Sequence, residues 1–197
     1  MKDFRVQDRS LIAPLPFAGR PAAHPVPRSN MCLNGFLASA RPDPDHFAYA
    51  LIANVRLLKW YHRDAEYRRY VQRAEVVLAA GRASAWLIRQ LHGVHVPICS
   101  PASVTNLLLQ ISRPTDRILW VGPAATFDAG LSSRGALGYC GRGLAGCIDF
   151  IENNEPFRFC LLALSSPEQE LVAHDVLMRG RARGLALCVG PGYGCTR

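Results

Sequence analysis

From residue 46 onward, runs of apolar residues of strand length alternate with stretches whose apolar residues recur at helical spacing. The runs predict strands over residues 48–54, 75–79, 117–122, 157–164 and 185–189. The helical spacing predicts helices over residues 62–73, 82–92, 101–111 and 167–180, with an irregular region between residues 122 and 157. Such alternation is typical of α/β proteins, and we expect a Rossmann-like, mostly parallel sheet with helices on both faces.

The first 45 residues have a different pattern, in which short apolar patches are separated by prolines such as Pro14, Pro16 and Pro21. Little regular structure is expected in such a segment. The chain of 197 residues, 49% hydrophobic and 19% charged, is long enough for one domain with a core but short of two. We therefore expect a proline-rich, partly irregular arm over residues 1–45 and a single α/β domain over residues 46–197.

The length of the apolar runs also bears on where in the cell the protein resides. None approaches the roughly 18 residues of a membrane-spanning helix. The N-terminus lacks the charged segment, apolar core and cleavage site of a signal peptide. We expect a cytoplasmic protein, with peripheral contact at the inner face of the plasma membrane as the open alternative.

Cysteine and histidine spacing gives no indication of a metal or redox site. The seven cysteines form no C-x-x-C pair, and Cys160 and Cys188 fall within predicted strands. They are typical of small buried hydrophobes in a reducing compartment. His92 and His95 flank Gly93 and His174 lies far along the chain, without a recognised ligand spacing. We expect no metal and no cofactor.

The net charge of +8 favours anionic partners: nucleotide diphosphates, lipid diphosphates, an acidic membrane surface or nucleic acid. Charge alone does not choose among them. Basic residues concentrate between Arg56 and Arg73 and again at Arg179, Arg181 and Arg183, where solvated helix faces are the common explanation. Because no nucleic-acid motif accompanies them, we expect no nucleic-acid partner. The sequence leaves homo-oligomerisation open.

Polar residues follow the predicted strand over 157–164. Ser166 is placed to cap the next helix, Pro167 to occupy its first position and Gln169 its third, which would complete a capping box. In open α/β sheets, ligands bind at the carboxyl ends of the strands, where these side chains lie. A purely structural alternative exists, in which Glu168 and Glu170 only complement the positive end of the helix dipole.

A parallel sheet brings further strand ends to the same place. Right-handed crossovers would align Asn54, Ala80–Gly81, Gly122 and Ser165–Gln169 there. Asn54 and Gln169 are neutral amides that can hold sugar hydroxyls through paired donors and acceptors. Gly122 allows close approach of a diphosphate to the backbone, with an ordinary turn glycine as the alternative, and Thr126 is placed to cap the next helix.

Four segments in order resemble the WecG/TagA/CpsF glycosyltransferases (glycosyltransferase family 26). Ala163–Glu170 is similar to the Gly-x-Pro-x-Gln-Glu block, with Ser165 at the glycine. Ala50–Tyr70 resembles the first strand and Thr-x-Asn, with Ile52 at the threonine and Asn54 at the asparagine. Arg73–Trp86 resembles the Asp-Gly block, with Gly81 at the glycine and Ala80 at the aspartate. Arg183–Gly190 resembles the following strand.

The resemblance implies transfer of a sugar from a UDP-sugar donor to a lipid-linked saccharide acceptor in bacterial surface or exopolysaccharide synthesis, without a metal. It implies substrate-binding roles for Gly81, Gly122, Pro167, Gln169 and Glu170, with His95 near a family arginine. Asn54, Gln169 and the Ala80 position would be catalytic, but alanine cannot act as the base that the family aspartate is proposed to be.

Two expectations follow from these departures. Another carboxylate, Glu170 or Asp128, substitutes for the missing base, or the protein is a catalytically inactive nucleotide-sugar-binding or partner protein on the same fold. Family members continue beyond the strand that ends near residue 190, with an appendage thought to hold the enzyme at the membrane. Here the chain stops at Arg197, and we expect that appendage to be absent.

Overall fold

The computed structural model of the protein describes residues 46–124, 127, 129–141 and 143–191. The arm predicted over residues 1–45 lies outside the described residues, as do Thr126 and Asp128.

One sheet of six parallel strands forms the centre of the molecule, in the order β2-β1-β6-β5-β3-β4. The strands are β1 Phe47–Ala53, β2 Val76–Ala79, β3 Ile118–Val121, β4 Leu137–Tyr139, β5 Phe159–Leu162 and β6 Gly184–Cys188. Seven helices are found in the described part of the chain: α1 Val55–Arg63, α2 Ala65–Arg73, α3 Arg82–His92, α4 Pro101–Ile111, α5 Ala129–Ser133, α6 Leu144–Asn153 and α7 Glu168–Arg179. The α/β Rossmann-like prediction is confirmed.

Two apolar clusters cover the two faces of the sheet. On one face, β1 and β2 side chains pack with residues of α1, α2, α3, α6 and α7. On the other face, α4 and α5 supply Val104, Leu108 and Leu131 against Ile52 and Trp120. Because both faces are covered, the central strands β1, β5 and β6 are almost wholly buried, as parallel strands usually are.

The single helix predicted over residues 62–73 is wrong, since two helices follow β1. α1 begins directly after Asn54, before the predicted start at residue 62, because Asn54 Oδ1 accepts the Leu57 N–H at 2.8 Å. Asp64 then ends α1 and caps α2, where its carboxylate accepts N–H groups of Glu66 and Tyr67. Because the Asp64 side chain caps α2, it separates α1 from α2 although the apolar spacing continues through both helices.

We expected the region between residues 122 and 157 to be irregular, and this prediction is wrong. The region contains α5, β4 and α6. α5 and β4 are only five and three residues long, and β4 is largely exposed at the end of the sheet. Elements this short carry too few apolar positions for a periodic signal. α6 follows Gly143, whose φ of 99° favours glycine.

The cysteine prediction is confirmed for the described strands. Cys160 and Cys188 are free thiols that are fully buried in β5 and β6. Burial raises the pKa of both thiols, so neither is reactive at neutral pH. Among the described residues, no helix has both the length and the apolar character that crossing a membrane would need.

Gly122 marks a close approach between the ends of β3 and β5. A Cβ at position 122 would lie 2.8 Å from Ala163 Cβ, and overpacking typically destabilises a core by about 1–3 kcal/mol. We expect Gly122→Ser to lower the free energy of unfolding by roughly that amount in urea titrations.

Gly81→Ser is the matched control. Nothing lies within 4 Å of a Cβ at position 81, and serine is favoured at the start of a helix. The free energy of unfolding of this variant should be unchanged or slightly raised. Equal losses at both positions would contradict the steric explanation.

Candidate functional site

The carboxyl ends of the parallel strands bring most of the predicted site residues to one end of the sheet, here called the carboxyl end. Ala53 pairs with Ala79, so that Asn54 and Ala80 come next to each other in register. Leu51 and Leu162 both pair with Cys188, which places Gly190 between the exits of β1 and β5.

One end of the Asn54 carboxamide stabilises the start of α1. Its Oδ1 caps α1 at Leu57 N, as described above. Its Nδ2 lies 3.9 Å from the position that a Cβ on Gly190 would take. The side chain is half-buried, and its amide donor is turned toward the exit of β6. Asn54 is therefore a structural cap that keeps a hydrogen-bond donor beside Gly190.

Gln169 is wholly buried, and both ends of its amide have protein partners. Its Oε1 accepts the Gly190 N–H at 2.9 Å, and its Nε2 donates to Glu170 Oε1 at 2.8 Å. Gly190 has a φ of 81°, a left-handed conformation that glycine adopts without strain. Gln169 thus fastens the first turn of α7 to the end of β6, and its amide does not face solvent.

The capping box predicted at the start of α7 is wrong. The helix begins at Glu168, with Pro167 before it, and no side chain caps its first N–H groups. Ser166 Oγ instead donates to Glu170 Oε1 at 2.9 Å, four residues along the chain. Ser166 follows the buried strand into the core, and its hydroxyl therefore meets the Glu170 carboxyl rather than the helix end.

Glu170 is a buried acid, with none of its surface exposed. Burial raises its pKa, while the hydrogen bonds from Gln169 and Ser166 act in the opposite direction. Tyr67 of α2 lies close enough to interact with this carboxyl, and burial followed by the Glu170 charge raises the tyrosine pKa. The cluster of Tyr67, Ser166, Gln169 and Glu170 is a buried polar network between α2, α7 and β6.

Sequence reasoning missed Tyr67 and Gly190 as members of this arrangement. Tyr67 belongs to a different helix from Glu170, and only the packing of α2 beside α7 brings them together. Gly190 could have been suspected from its place directly after a predicted strand, where glycine often marks a turn or a close approach.

The remaining predicted residues lie at or near the carboxyl end. Ala80 is half-buried and donates its N–H to Ala53 O at 2.8 Å. Gly81 precedes α3, and no side chain caps the N–H groups of its first turn. Pro167 is half-buried beside the polar network, and Gly122 is buried at the β3 exit.

His95 is exposed in the segment that follows α3. Three residues later, Ile98 forms an isolated bridge with Ala79. No described contact joins His95 to Asn54 or Gln169, so the structure does not bring it into the cluster around Gly190.

Within the described residues, no group of three or more His, Cys, Asp or Glu side chains could hold a metal ion. A groove of about 530 Å³ lies between α2 and α7. It is lined by Glu66, Arg69, Tyr70, Gln72, Arg73, His174, Asp175 and Met178, a set that includes none of the predicted site residues. We therefore place the candidate site at the carboxyl end of the sheet and not in this groove.

Comparison with known proteins adds no assignment. No protein-family model matches the chain, and no curated protein matches it. The resemblance to the WecG/TagA/CpsF family stays a prediction from the sequence.

The buried carboxyl of Glu170 predicts a specific pH dependence of stability. Its pKa is raised above the ordinary value of 4.5, so the folded protein holds this proton at pH values where the unfolded chain releases it. The resulting stabilisation is complete below the unfolded pKa and is lost as the pH rises through the folded pKa.

Glu170→Gln supplies a neutral side chain of nearly the same shape at every pH. The difference in the free energy of unfolding, wild type minus variant, should therefore fall as the pH rises from below 4.5 through the raised pKa of Glu170, as measured in urea titrations. Glu168→Gln makes the same substitution at an exposed position nearby and is the matched control. A flat difference for Glu170→Gln would contradict the burial argument.

Proposed function

We propose that the carboxyl end of the sheet binds a UDP-sugar and that the domain is a glycosyltransferase. Its acceptor would be a polyprenyl-diphosphate-linked saccharide in bacterial surface or exopolysaccharide synthesis. The observation that carries the proposal is the meeting of Asn54, Gly190 and Gln169 beside the uncapped start of α3. Ligands of open α/β sheets bind at this end of the strands.

Each part of the arrangement suits one part of such a donor. The first-turn N–H groups of α3 are suited to a diphosphate, because the start of a helix attracts anions. The Asn54 Nδ2 donor is suited to a sugar or ribose hydroxyl. Gln169 contributes indirectly, since both ends of its amide bind protein groups and it fixes Gly190 beside Asn54.

In the reaction, an acceptor hydroxyl would attack the anomeric carbon of the sugar while the bond from that carbon to UDP breaks. The acceptor proton passes to a base, and the leaving diphosphate keeps the bonding electron pair. A lipid-linked acceptor implies work at the cytoplasmic face of a membrane, with peripheral contact. No cofactor is required for this chemistry.

Asn54→Asp tests the binding role separately from the cap. An aspartate retains the oxygen that caps α1 and is itself favoured at a helix start, so stability should change by no more than about 0.5 kcal/mol. It removes the Nδ2 donor and adds a negative charge near the diphosphate. We expect UDP affinity to fall by about tenfold or more in calorimetric titrations.

Two results would count against the proposal. The first is no detectable UDP binding by the folded wild-type protein at millimolar concentration. The second is equal UDP affinity in the wild type and in Asn54→Asp, which would limit Asn54 to capping α1.

A second candidate function is that of an inactive nucleotide-sugar-binding protein. It is favoured because the residues considered as the catalytic base offer no accessible carboxylate in the described part of the chain. Ala80 has no proton acceptor, and Glu170, one of the two acids considered as a substitute, is buried with its Oε1 bonded to Ser166 and Gln169. Asp128, the other, lies outside the described residues.

Ala80→Asp separates the two functions. Loss of a general base commonly lowers a rate by about 10²- to 10⁴-fold, so a restored aspartate should raise transfer to a lipid-diphosphate saccharide strongly. Radiolabelled sugar transfer from a panel of UDP-sugars would measure this. Ala80→Asn is the control, because it adds a neutral polar group of nearly the same size and shape as the carboxylate. A wild type that is already as fast as Ala80→Asp would show that the base lies elsewhere.

A further inference from the structure

α1 and α3 carry the same arrangement of arginine and tryptophan. In each helix, tryptophan follows an arginine by four residues and precedes another by three: Arg56, Trp60 and Arg63 in α1, and Arg82, Trp86 and Arg89 in α3. Residues three and four apart are neighbours on one side of a helix. Each tryptophan therefore lies between two arginines on the helix surface.

These residues lie away from the core. Trp86 is 60% exposed and Trp60 is 36% exposed, and all four arginines are exposed. The opposite side of α1 buries Leu57, Leu58 and Tyr61, and that of α3 buries Ser84 and Ile88. Trp60 is partly covered by the Tyr67 ring of α2, whose centroid lies 6.4 Å from its own, whereas no described ring contact or ion pair holds Trp86 or the four arginines.

The two helices lie side by side. Both pack on the same face of the sheet, and the rings of His62 and His92 stack between them with centroids 5.3 Å apart. Burial, followed by the proximity of His62, lowers the pKa of His92 to about 4, so this imidazole is neutral at neutral pH. The outer sides of α1 and α3 together form what we call the arginine–tryptophan surface.

The arginine–tryptophan surface is strongly basic. α1 and α3 contain five lysine and arginine residues and no aspartate or glutamate: Arg56, Lys59, Arg63, Arg82 and Arg89. Among the described residues, no ion pair involves any of the five. The closest acids in sequence, Asp64 and Glu66, serve as the cap of α2 and as the acceptor of the Tyr70 hydroxyl. Such a surface calls for an anionic partner.

We propose that the arginine–tryptophan surface docks on an anionic phospholipid bilayer. Tryptophan is enriched at the headgroup level of membranes, and arginine and lysine near an anionic surface add electrostatic attraction. The proposal extends the proposed function, because a lipid-linked acceptor resides in a bilayer, but its evidence does not depend on UDP-sugar binding.

Charge argues against two other occupants. Docking of the same surface from a second copy would bring five positive side chains close to five others, and the two surfaces would repel each other. The segment over residues 1–45 has six lysines and arginines against four aspartates, so it has no excess of negative charge to offer. Nucleic acid also offers the required charge, but no recognised nucleic-acid motif accompanies these basic residues.

Vesicle sedimentation with the full chain tests the proposal. We expect binding to phosphatidylcholine vesicles that contain phosphatidylglycerol, little binding to phosphatidylcholine alone, and weakening by salt. Arg63→Gln/Arg89→Gln, which changes arginines at the helix ends remote from the carboxyl end, should lower the partition coefficient by about tenfold or more. Trp86→Ala should lower it by about fivefold.

Matched variants control for charge and apolar area elsewhere. Arg113→Gln/Arg134→Gln removes the same charge beside α4 and α5, on the other face of the sheet, and should leave binding nearly unchanged. Met178→Ala removes a side chain that is also 60% exposed and should do the same. Brominated lipids should quench Trp60 and Trp86 but not Trp120, which is wholly buried.

The outcomes are distinguishable. Equal losses in the Arg63/Arg89 and Arg113/Arg134 pairs would overturn the assignment of the surface, as would unquenched tryptophan fluorescence. Retention of a single-stranded oligonucleotide without vesicle binding would assign the surface to nucleic acid instead. Because the vesicles contain no donor or saccharide, vesicle binding without UDP binding would overturn the glycosyltransferase proposal alone, and the reverse would overturn only the docking surface.

Discussion

The hydrogen bond from Gly190 N–H to Gln169 Oε1 is the contact on which the geometry of the candidate site depends. It joins the first turn of α7 to the end of β6, in the space between the exits of β1 and β5. Because Gln169 is fully buried, no water can replace this partner without opening the fold. Gly190 has a left-handed backbone at this contact, and the Asn54 amide, held by its cap on α1, lies beside it.

Glu170, which accepts a hydrogen bond from Gln169 Nε2, belongs to the core and not to a ligand-binding surface. Glu170 accepts hydrogen bonds from Gln169 and Ser166, and its charge contributes to the raised pKa of Tyr67 in the neighbouring α2. Burying an ionised carboxylate is expensive, and a neutral carboxyl that also donates a hydrogen bond suits such a network better. The Gln-Glu pair at the start of α7 is therefore explained by packing alone, whether or not a ligand binds nearby.

The architecture could be predicted from the sequence where the apolar pattern is strong. Five of the six strands follow apolar runs, and their alternation with helices was enough to expect a parallel sheet. α1 was missed because Asn54 and Asp64 set its ends through side-chain caps that apolar spacing does not encode. The polar network could not be predicted, because Gln169 meets a backbone group 21 residues away and Tyr67 comes from another helix. Local capping rules at Ser166 consequently gave the wrong partner.

α1 and α3 connect the candidate site with the arginine–tryptophan surface. Both helices begin at the carboxyl end of the sheet, at Asn54 and Gly81, and both run from there along the same face. Their first turns lie beside the proposed donor site, while Trp60 and Trp86 lie one turn farther along. If this surface rests on a bilayer, the carboxyl end of the sheet is held near the headgroup layer, where the diphosphate of a lipid-linked saccharide resides. Two rigid helices would then hold the proposed donor site close to the lipid-linked acceptor, and such proximity is a geometric requirement of group transfer between a nucleotide in solution and a lipid.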